Sequence, residues 1–546
     1  MKKKTTLTNR FLCIGLVFAL SLGLTACGGS SADSAAGENY AETTMVVAEA
    51  EEGYLYGGEG AGIDFNTEEY NALEENGFKS VVTSPLSTFS ADVDTASYSN
   101  LRRMIMDGYS LENIPEGAVR IEELLNYFSY DYKLPEDGEP FGVTVSIADC
   151  PWNENSKLMQ LGLQTEKLDF SEAPESNLVF LIDVSGSMDS EDKIGLLQRA
   201  FLLLTEELTA KDRVSIITYA GHESVVLEGA KGNQKEKIKE ALEGLFAEGS
   251  TNGGEAIQRA YELAEEYYIE GGNNRIILAT DGDLNVGITD ESSLKKLVEE
   301  KRKSGIYLSV MGFGTGNIKD NKMETLADNG NGNYSYIDSM GEAKKVLVEE
   351  LGANFVTVAK DVKFQVEFNS AVVKGYRLLG YENRVLADED FADDTKDAGE
   401  IGAGHSVTVL YEIVTVDSAM EINTPQLKYG ANDQEENEQD AVREAQTTSQ
   451  EEAEWLTVSV RYKEPEGSES RLLSYPVDGS FYTEEMSEDM KFAAAVAEFG
   501  MVVKDSEHKG SSTFESVLEL LDGIDLSEDE YREEFGYLVK MLKRNS

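Results

Sequence analysis

Leu178-Val179-Phe180-Leu181-Ile182-Asp183-Val184-Ser185-Gly186-Ser187-Met188 is an unbroken apolar run that ends in an Asp-x-Ser-x-Ser loop. A short run of large apolar residues reads as a strand buried on both faces of a parallel sheet. In open α/β sheets, ligands bind in the loops beyond the carboxyl ends of such strands. One carboxylate and two hydroxyls there, with no His or Cys among them, make an all-oxygen donor set. That set suits a hard divalent cation such as Mg²⁺.

Asp and Ser are common loop residues, so the motif gains its weight from two further segments. Asn274-Arg275-Ile276-Ile277-Leu278-Ala279-Thr280-Asp281-Gly282-Asp283 is a second buried-strand run ending in an acidic turn. Gly249-Ser250-Thr251-Asn252-Gly253-Gly254 is a small-residue loop that opens an amphipathic helix carrying Ile257, Ala260, Tyr261 and Ala264. Loops after two neighbouring strands, with a third loop bearing Thr251, can converge at one sheet edge. The set Asp183, Ser185, Ser187, Thr251 and Asp281 resembles the metal-ion-dependent adhesion site of von Willebrand factor type A (VWA) domains. All five positions carry the family's residue types.

The chain has 546 residues, 41% hydrophobic, enough for several domains with real cores. Lys2, Lys3, Lys4 and Arg10 precede the apolar stretch Phe11 to Leu22, which is short for a membrane span. Residues 1–26 therefore read as an export signal outside the fold. The signal ends at Leu24-Thr25-Ala26-Cys27-Gly28, which resembles a bacterial lipobox and implies lipidation at Cys27. Such a chain would sit on the extracytoplasmic face of the cell membrane, held by lipid. With Cys13 removed and Cys27 lipidated, Cys150 stands alone, so no internal disulfide forms and the folded domains depend on packing. The formal charge is −54, and cleavage of four basic residues takes it to −58. Such a chain is a poor partner for nucleic acid or for an anionic membrane surface.

Residues 27–84 are small, polar and acidic without a sustained period, and read as a disordered tether reaching about 40 Å. From 85 to 170 the pattern is α+β: a strand at Phe89–Asp94, helices at Tyr98–Met106 and Ala118–Phe128, then strands at 141–148 and 158–163. Asp92-x-Asp94-Thr95-x-Ser97 reads as a strand end with a helix cap. Residues 175–352 alternate as in a doubly wound α/β domain. Their strands fall at 178–183, 214–219, 224–227, 276–280, 307–312 and 334–337, with one antiparallel edge strand after the turn Ala220–Glu223. Beyond Leu351 the period changes to two, as in Val362-Lys363-Phe364-Gln365-Val366-Glu367-Phe368, and residues 353–480 read as an antiparallel β-domain. Neither this domain nor the strands before the A domain has an obvious partner for one face. We therefore expect one β-sandwich, from 141–166 and 360–476, into which the α/β domain is inserted. Residues 432–454 read as a charged loop between strands, and 481–546 as packed helices.

The resemblance extends to bacterial VWA lipoproteins through Phe89–Tyr98, Arg120–Phe128 and Gly375–Arg384, and covers most of residues 85–546. It implies Mg²⁺, or alternatively Mn²⁺ or Ca²⁺, held by hydroxyl oxygens of Ser185, Ser187 and Thr251 and by Asp183 and Asp281, directly or through water. Asp283 and Asn285 would line the rim. A cation so under-neutralised would take an Asp or Glu from a protein partner, for adhesion or for assembly of an envelope complex. The helix Glu342–Leu351 could shift with ligation. No enzymatic activity is expected: His222, His405 and His508 fall in no metal-spacing motif, and the chain has neither a Gly-x-Ser-x-Gly elbow nor a phosphate-binding Gly-x-x-x-x-Gly-Lys loop. Leu386–Asp394 reads as a solvated acidic turn. The competing readings are a metal-independent envelope scaffold and a metal-dependent hydrolase.

Overall fold

The computed structural model describes residues 66–91, 94–136, 138–168, 173–249, 256–282, 291–396, 398–424, 453–465 and 467–546. Among the described residues, four strands precede the α/β domain: β1 (Lys79–Ser80), β2 (Leu86–Ser90), β3 (Gly142–Asp149) and β4 (Lys157–Gln164). The domain itself holds β5 (Ser176–Asp183), β6 (Arg213–Tyr219), β7 (Glu223–Lys231), β8 (Asn273–Thr280), β9 (Ile306–Phe313) and β10 (Tyr334–Ile337). Their order across the sheet is β10-β9-β8-β5-β6-β7, parallel throughout except for β7, the antiparallel edge strand.

The apolar run of β5 is explained by its central place. Every residue of it is buried. Leu178, Phe180 and Ile182 face one helical layer with Phe201, Leu204 and Leu242, whereas Val179 and Leu181 face the other with Ile257, Tyr261 and Val298. A strand covered on both sides has no polar face to alternate with.

After this domain come β11 (Thr357–Phe368), β12 (Val373–Leu379), β13 (Gly399–Gly402), β14 (Ser406–Thr415), β15 (Glu454–Lys463) and β16 (Ser470–Asp478). One sheet runs β1-β12-β14-β4-β3, and the other runs β13-β11-β15-β16 with β2 also on β11. Pairing of β4 with β14, from Gln164↔Ser406 to Lys157↔Ile413, closes the sandwich across the α/β domain, which is thereby an insertion. Val407, Val409, Tyr411 and Ile413 alternate inward to meet Phe89, Phe364 and Val366 of the opposite sheet. The outer face of the first sheet is covered by helices from both ends of the folded chain. Ala96–Met106 and Ile121–Asn126 pack there with Glu488–Val503, Phe514–Asp522 and Glu530–Asn545, around Ala148, Leu158, Leu379 and Leu410. Phe128, Phe492, Phe499 and Phe535 meet edge to face in that layer. Among the described residues, no helix is long and apolar enough to cross a membrane.

Several local expectations are corrected. The boundary at 84 overruns the folded part, because Thr67 and Glu69 donate their amides to Gly316 O (2.8 Å) and Ile318 O (2.9 Å), and β1 pairs with β12. These contacts are made by backbone groups of a segment without hydrophobic period, so no pattern announces them. Thr95, not Asp94, stands at the N-cap of the following helix, and its side chain makes no cap bond; Asp94 has other partners. It accepts the Tyr334 amide at 2.8 Å and the Arg384 guanidinium at 3.1 Å, joining the flanking segment to β10 and to the sandwich. The helix expected at Glu342–Leu351 is divided into Met340–Lys344, a π-turn at Lys345–Glu349, and Leu351–Phe355. The acidic turn is solvated as expected, with Asp388, Glu389 and Asp394 exposed, and it also presents the Asp390 and Asp393 carbonyl oxygens to the Lys363 ammonium, at 3.1 and 2.7 Å. Cys27, the export signal and most of the 432–454 loop lie outside the described residues.

Candidate metal centre

Because β5 and β8 are neighbours in parallel register, Asp183 and Asp281 emerge together at the carboxyl edge of the sheet. Asp183 Oδ1 accepts the Ser185 amide at 2.9 Å, an Asx-type turn that reverses the chain just past the strand. Its Oδ2 accepts the Thr280 hydroxyl at 3.1 Å. The turn sets the Ser185 and Ser187 hydroxyls 3.0 Å apart. The third loop is stitched to this one through its backbone, with Gly186 N donating to Gly249 O (3.1 Å) and Glu248 N to Val184 O (2.8 Å). Of the five sequence-predicted ligands, Asp183, Ser185, Ser187 and Asp281 share this edge. Thr251 lies outside the described residues, as do Asp283 and Asn285.

Gly282 turns the chain directly after Asp281. Its φ is +115°, and a Cβ there would stand 2.3 Å from Asn317 O, so only glycine fits. Gly186, in the first loop, keeps an ordinary φ.

Both carboxylates are buried, Asp183 at 0% and Asp281 at 1% exposure. Burial pushes Asp183 up to about 6; hydrogen bonds from Ser185 and Thr280 oppose the shift and the charge of Asp281 adds to it. Two further residues, missed from sequence, complete the edge. Lys193 extends its ammonium to Asp281 Oδ2 and to Ser187 O, each at 3.0 Å. Asn317 Nδ2 faces Asp281 Oδ1 at 3.5 Å, while its Oδ1 accepts the Thr67 hydroxyl at 3.1 Å. Lys193 reads from sequence as the first residue of an amphipathic helix. Its one positional signal is nearness to the Asp-x-Ser-x-Ser loop.

Two carboxylates and two hydroxyls with no soft donor fit a hard cation, Mg²⁺ or alternatively Mn²⁺ or Ca²⁺. Among the described residues, no cluster of three or more His, Cys, Asp or Glu is arranged to hold a metal, so hydroxyl oxygens would have to serve here. A polar cavity of about 640 Å³ lies at the other end of the strands, beside Asn273 and Asn274. It is remote from these groups.

Comparison with known proteins places the chain. It is 40% identical over 483 residues to a protein described as "Uncharacterized protein YfbK" from Escherichia coli (strain K12), covering 87% of this chain and 81% of that one. The chain belongs to the bacterial VWA family that includes YfbK. Residues 177–349 of this VWA protein match the family described as "von Willebrand factor type A domain". Residues 64–160 match "von Willebrand factor", and 353–544 match "Uncharacterized protein YfbK, C-terminal". Human inter-alpha-trypsin inhibitor heavy chain H4 is 32% identical over 146 residues, 25% of this chain and 16% of its own length. A solved von Willebrand factor type A protein from Catenulispora acidiphila covers 76% of this chain and 91% of its own, at 15% identity and a TM-score of 0.42. The VWA domain marks this protein as one of protein–protein interaction or adhesion type.

Proposed function

We propose that this VWA protein is a lipid-anchored envelope protein whose A domain holds Mg²⁺ and captures an acidic side chain of a protein partner. The meeting of Asp183, Ser185, Ser187 and Asp281 at one strand edge, in all-oxygen chemistry, carries this reading. Ser185, Ser187 and Thr251 would offer neutral hydroxyl oxygens, and Asp183 and Asp281 the carboxylates, directly or through water. A bound cation would supply an electrophilic coordination position that an Asp or Glu completes, since Mg²⁺ demands a full octahedron. The protein then acts by binding, not by catalysis. Lipid on Cys27 would hold it at the extracytoplasmic face of the membrane.

Isothermal titration of the protein with Mg²⁺ tests the site. Metal-dependent heat that disappears in Asp183→Ala is expected; no heat, or unchanged heat in the variant, rejects the reading. A Cys27→Ser chain that stays in the membrane fraction rejects the anchor. The alternative, a metal-independent envelope scaffold, is favoured by one observation: Lys193 already balances part of the charge at Asp281. Partners retained in EDTA after crosslinking of intact cells would decide for it.

A further inference from the structure

We propose that Lys193 is a tethered cation that competes with the divalent ion for Asp281, so that metal binding at this edge is an exchange of one cation for another. The inference rests on the metal reading above and concerns what this chain's own residues do toward that ion.

The ammonium of Lys193 bridges Asp281 Oδ2 and Ser187 O, each at 3.0 Å, and so joins the two loops that carry the candidate ligands. Its side chain is 11% exposed although it belongs to a long, strongly hydrated cation. The path of its stem is built into the fold. Gly314, at φ +70°, lies against it so closely that a Cβ there would stand 2.1 Å from Lys193 Cγ and 2.4 Å from Cε. A glycine in the β9 exit loop thus leaves a trough for this lysine. The backbone under it is a single π-turn, Glu191–Gly195, at the head of the helix Leu196–Glu207. Such one-turn bulges place a side chain where a regular helix would not.

The consequence is electrostatic. Asp183 and Asp281 together carry two negative charges, and Lys193 returns one. Without metal, the lysine therefore keeps two buried carboxylates compatible with a folded edge. With metal, like charge resides close to the same oxygens, which weakens the cation's hold. The same extra positive charge makes the loaded edge more attractive to an incoming carboxylate. Lys193 is a positioning residue in this scheme, because it sets the charge of the site without being one of its ligands.

The test titrates the full chain, purified in detergent, with Mn²⁺ (free ion read by electron paramagnetic resonance) and with Mg²⁺ by calorimetry, at one fixed pH. Lys193→Met is expected to bind metal at least tenfold more tightly than wild type, and Lys193→Arg to stay within about threefold of it. The rise in melting temperature on adding Mg²⁺ should also be larger in Lys193→Met than in wild type. Lys193→Gln serves as a second neutral variant should the methionine chain not fold. Wild-type binding with neutral variants no tighter, or weaker, overturns the exchange and leaves the metal site standing. Binding in no variant overturns both. Binding in the neutral variants alone is the strongest support, since it shows the lysine excluding the ion.

Discussion

Replacing Arg102 by methionine should loosen the hold of the body on the helix Met340–Lys344 of the A domain. The Arg102 guanidinium, on the helix Ala96–Met106, reaches Glu342 Oε2 at 2.7 Å, Asp338, and Tyr127 Oη at 2.8 Å. Glu534 of the final helix is a fourth partner at 3.1 Å, but at 39% exposure it adds little. Arg102, Asp338 and Glu342 are 6%, 8% and 1% exposed. Removing one partner of a buried ion pair costs about 3–5 kcal/mol, chiefly because the other charge is left in an apolar place. Here two carboxylates are left, and we expect a loss in that range at pH 8. Burial holds Glu342 above the usual carboxylate range while Arg102 opposes it, so the variant pushes it further upward. A carboxyl raised in the folded state carries no penalty below its unfolded pKa and the full penalty above its folded one. The loss should therefore shrink as the pH falls toward 5. Urea unfolding followed by the buried Trp152 and Trp455 and by circular dichroism measures it. Arg102→Met/Glu342→Gln should recover at least half of the lost stability. A loss below about 1 kcal/mol, or a double variant no more stable than the single one, refutes the clamp.

Three other outcomes are expected. Glu498, 1% exposed and held by Ser516, is pushed up to about 7, mainly by burial with Glu519 adding to it. Its charged form costs the fold up to about 3 kcal/mol, a cost absent below pH 4.5 and complete above 7. Glu498→Gln should thus outmelt wild type at pH 8.5 and match it at 4.5; equal melting at both refutes the shift. Gly282→Ala, with its Cβ forced toward Asn317 O at positive φ, should destabilise by roughly 2 kcal/mol, and an unchanged melting curve would contradict the tight turn. Cys150 is 5% exposed and its thiol is raised by burial. In a Cys13→Ser/Cys27→Ser chain, it should react with a disulfide reagent only after unfolding, and prompt native reaction would count against its burial.

Patterning along the chain was enough for much of the architecture. The apolar runs at 178–183 and 276–280 are legible because a strand covered by helices on both faces must be apolar at every position. The sandwich is legible from β11, where Val362, Phe364, Val366 and Phe368 face the core while Gln365 is half-buried and Glu367 exposed on the other face. Even the insertion follows, from two sets of strands that each lack a partner. The Asp-x-Ser-x-Ser loop is readable for a related reason: Asp183 and Asp281 sit at the ends of two neighbouring strands, and a parallel sheet aligns strand ends automatically.

What those patterns leave silent is polar pairing over long separations. Lys193 meets Asp281 across 88 positions, Thr67 meets Asn317 across 250, and Arg102 meets Glu342 across 240. No periodicity joins such residues, because one ion pair or hydrogen bond can join any two positions that the fold happens to bring near. Hydrophobic burial is collective and leaves a repeating trace in the chain, so it determined the strands, the layers and the edge where the candidate ligands gather. The charge balance at that edge depends on a single lysine threading past a single glycine, and only the tertiary structure decided it.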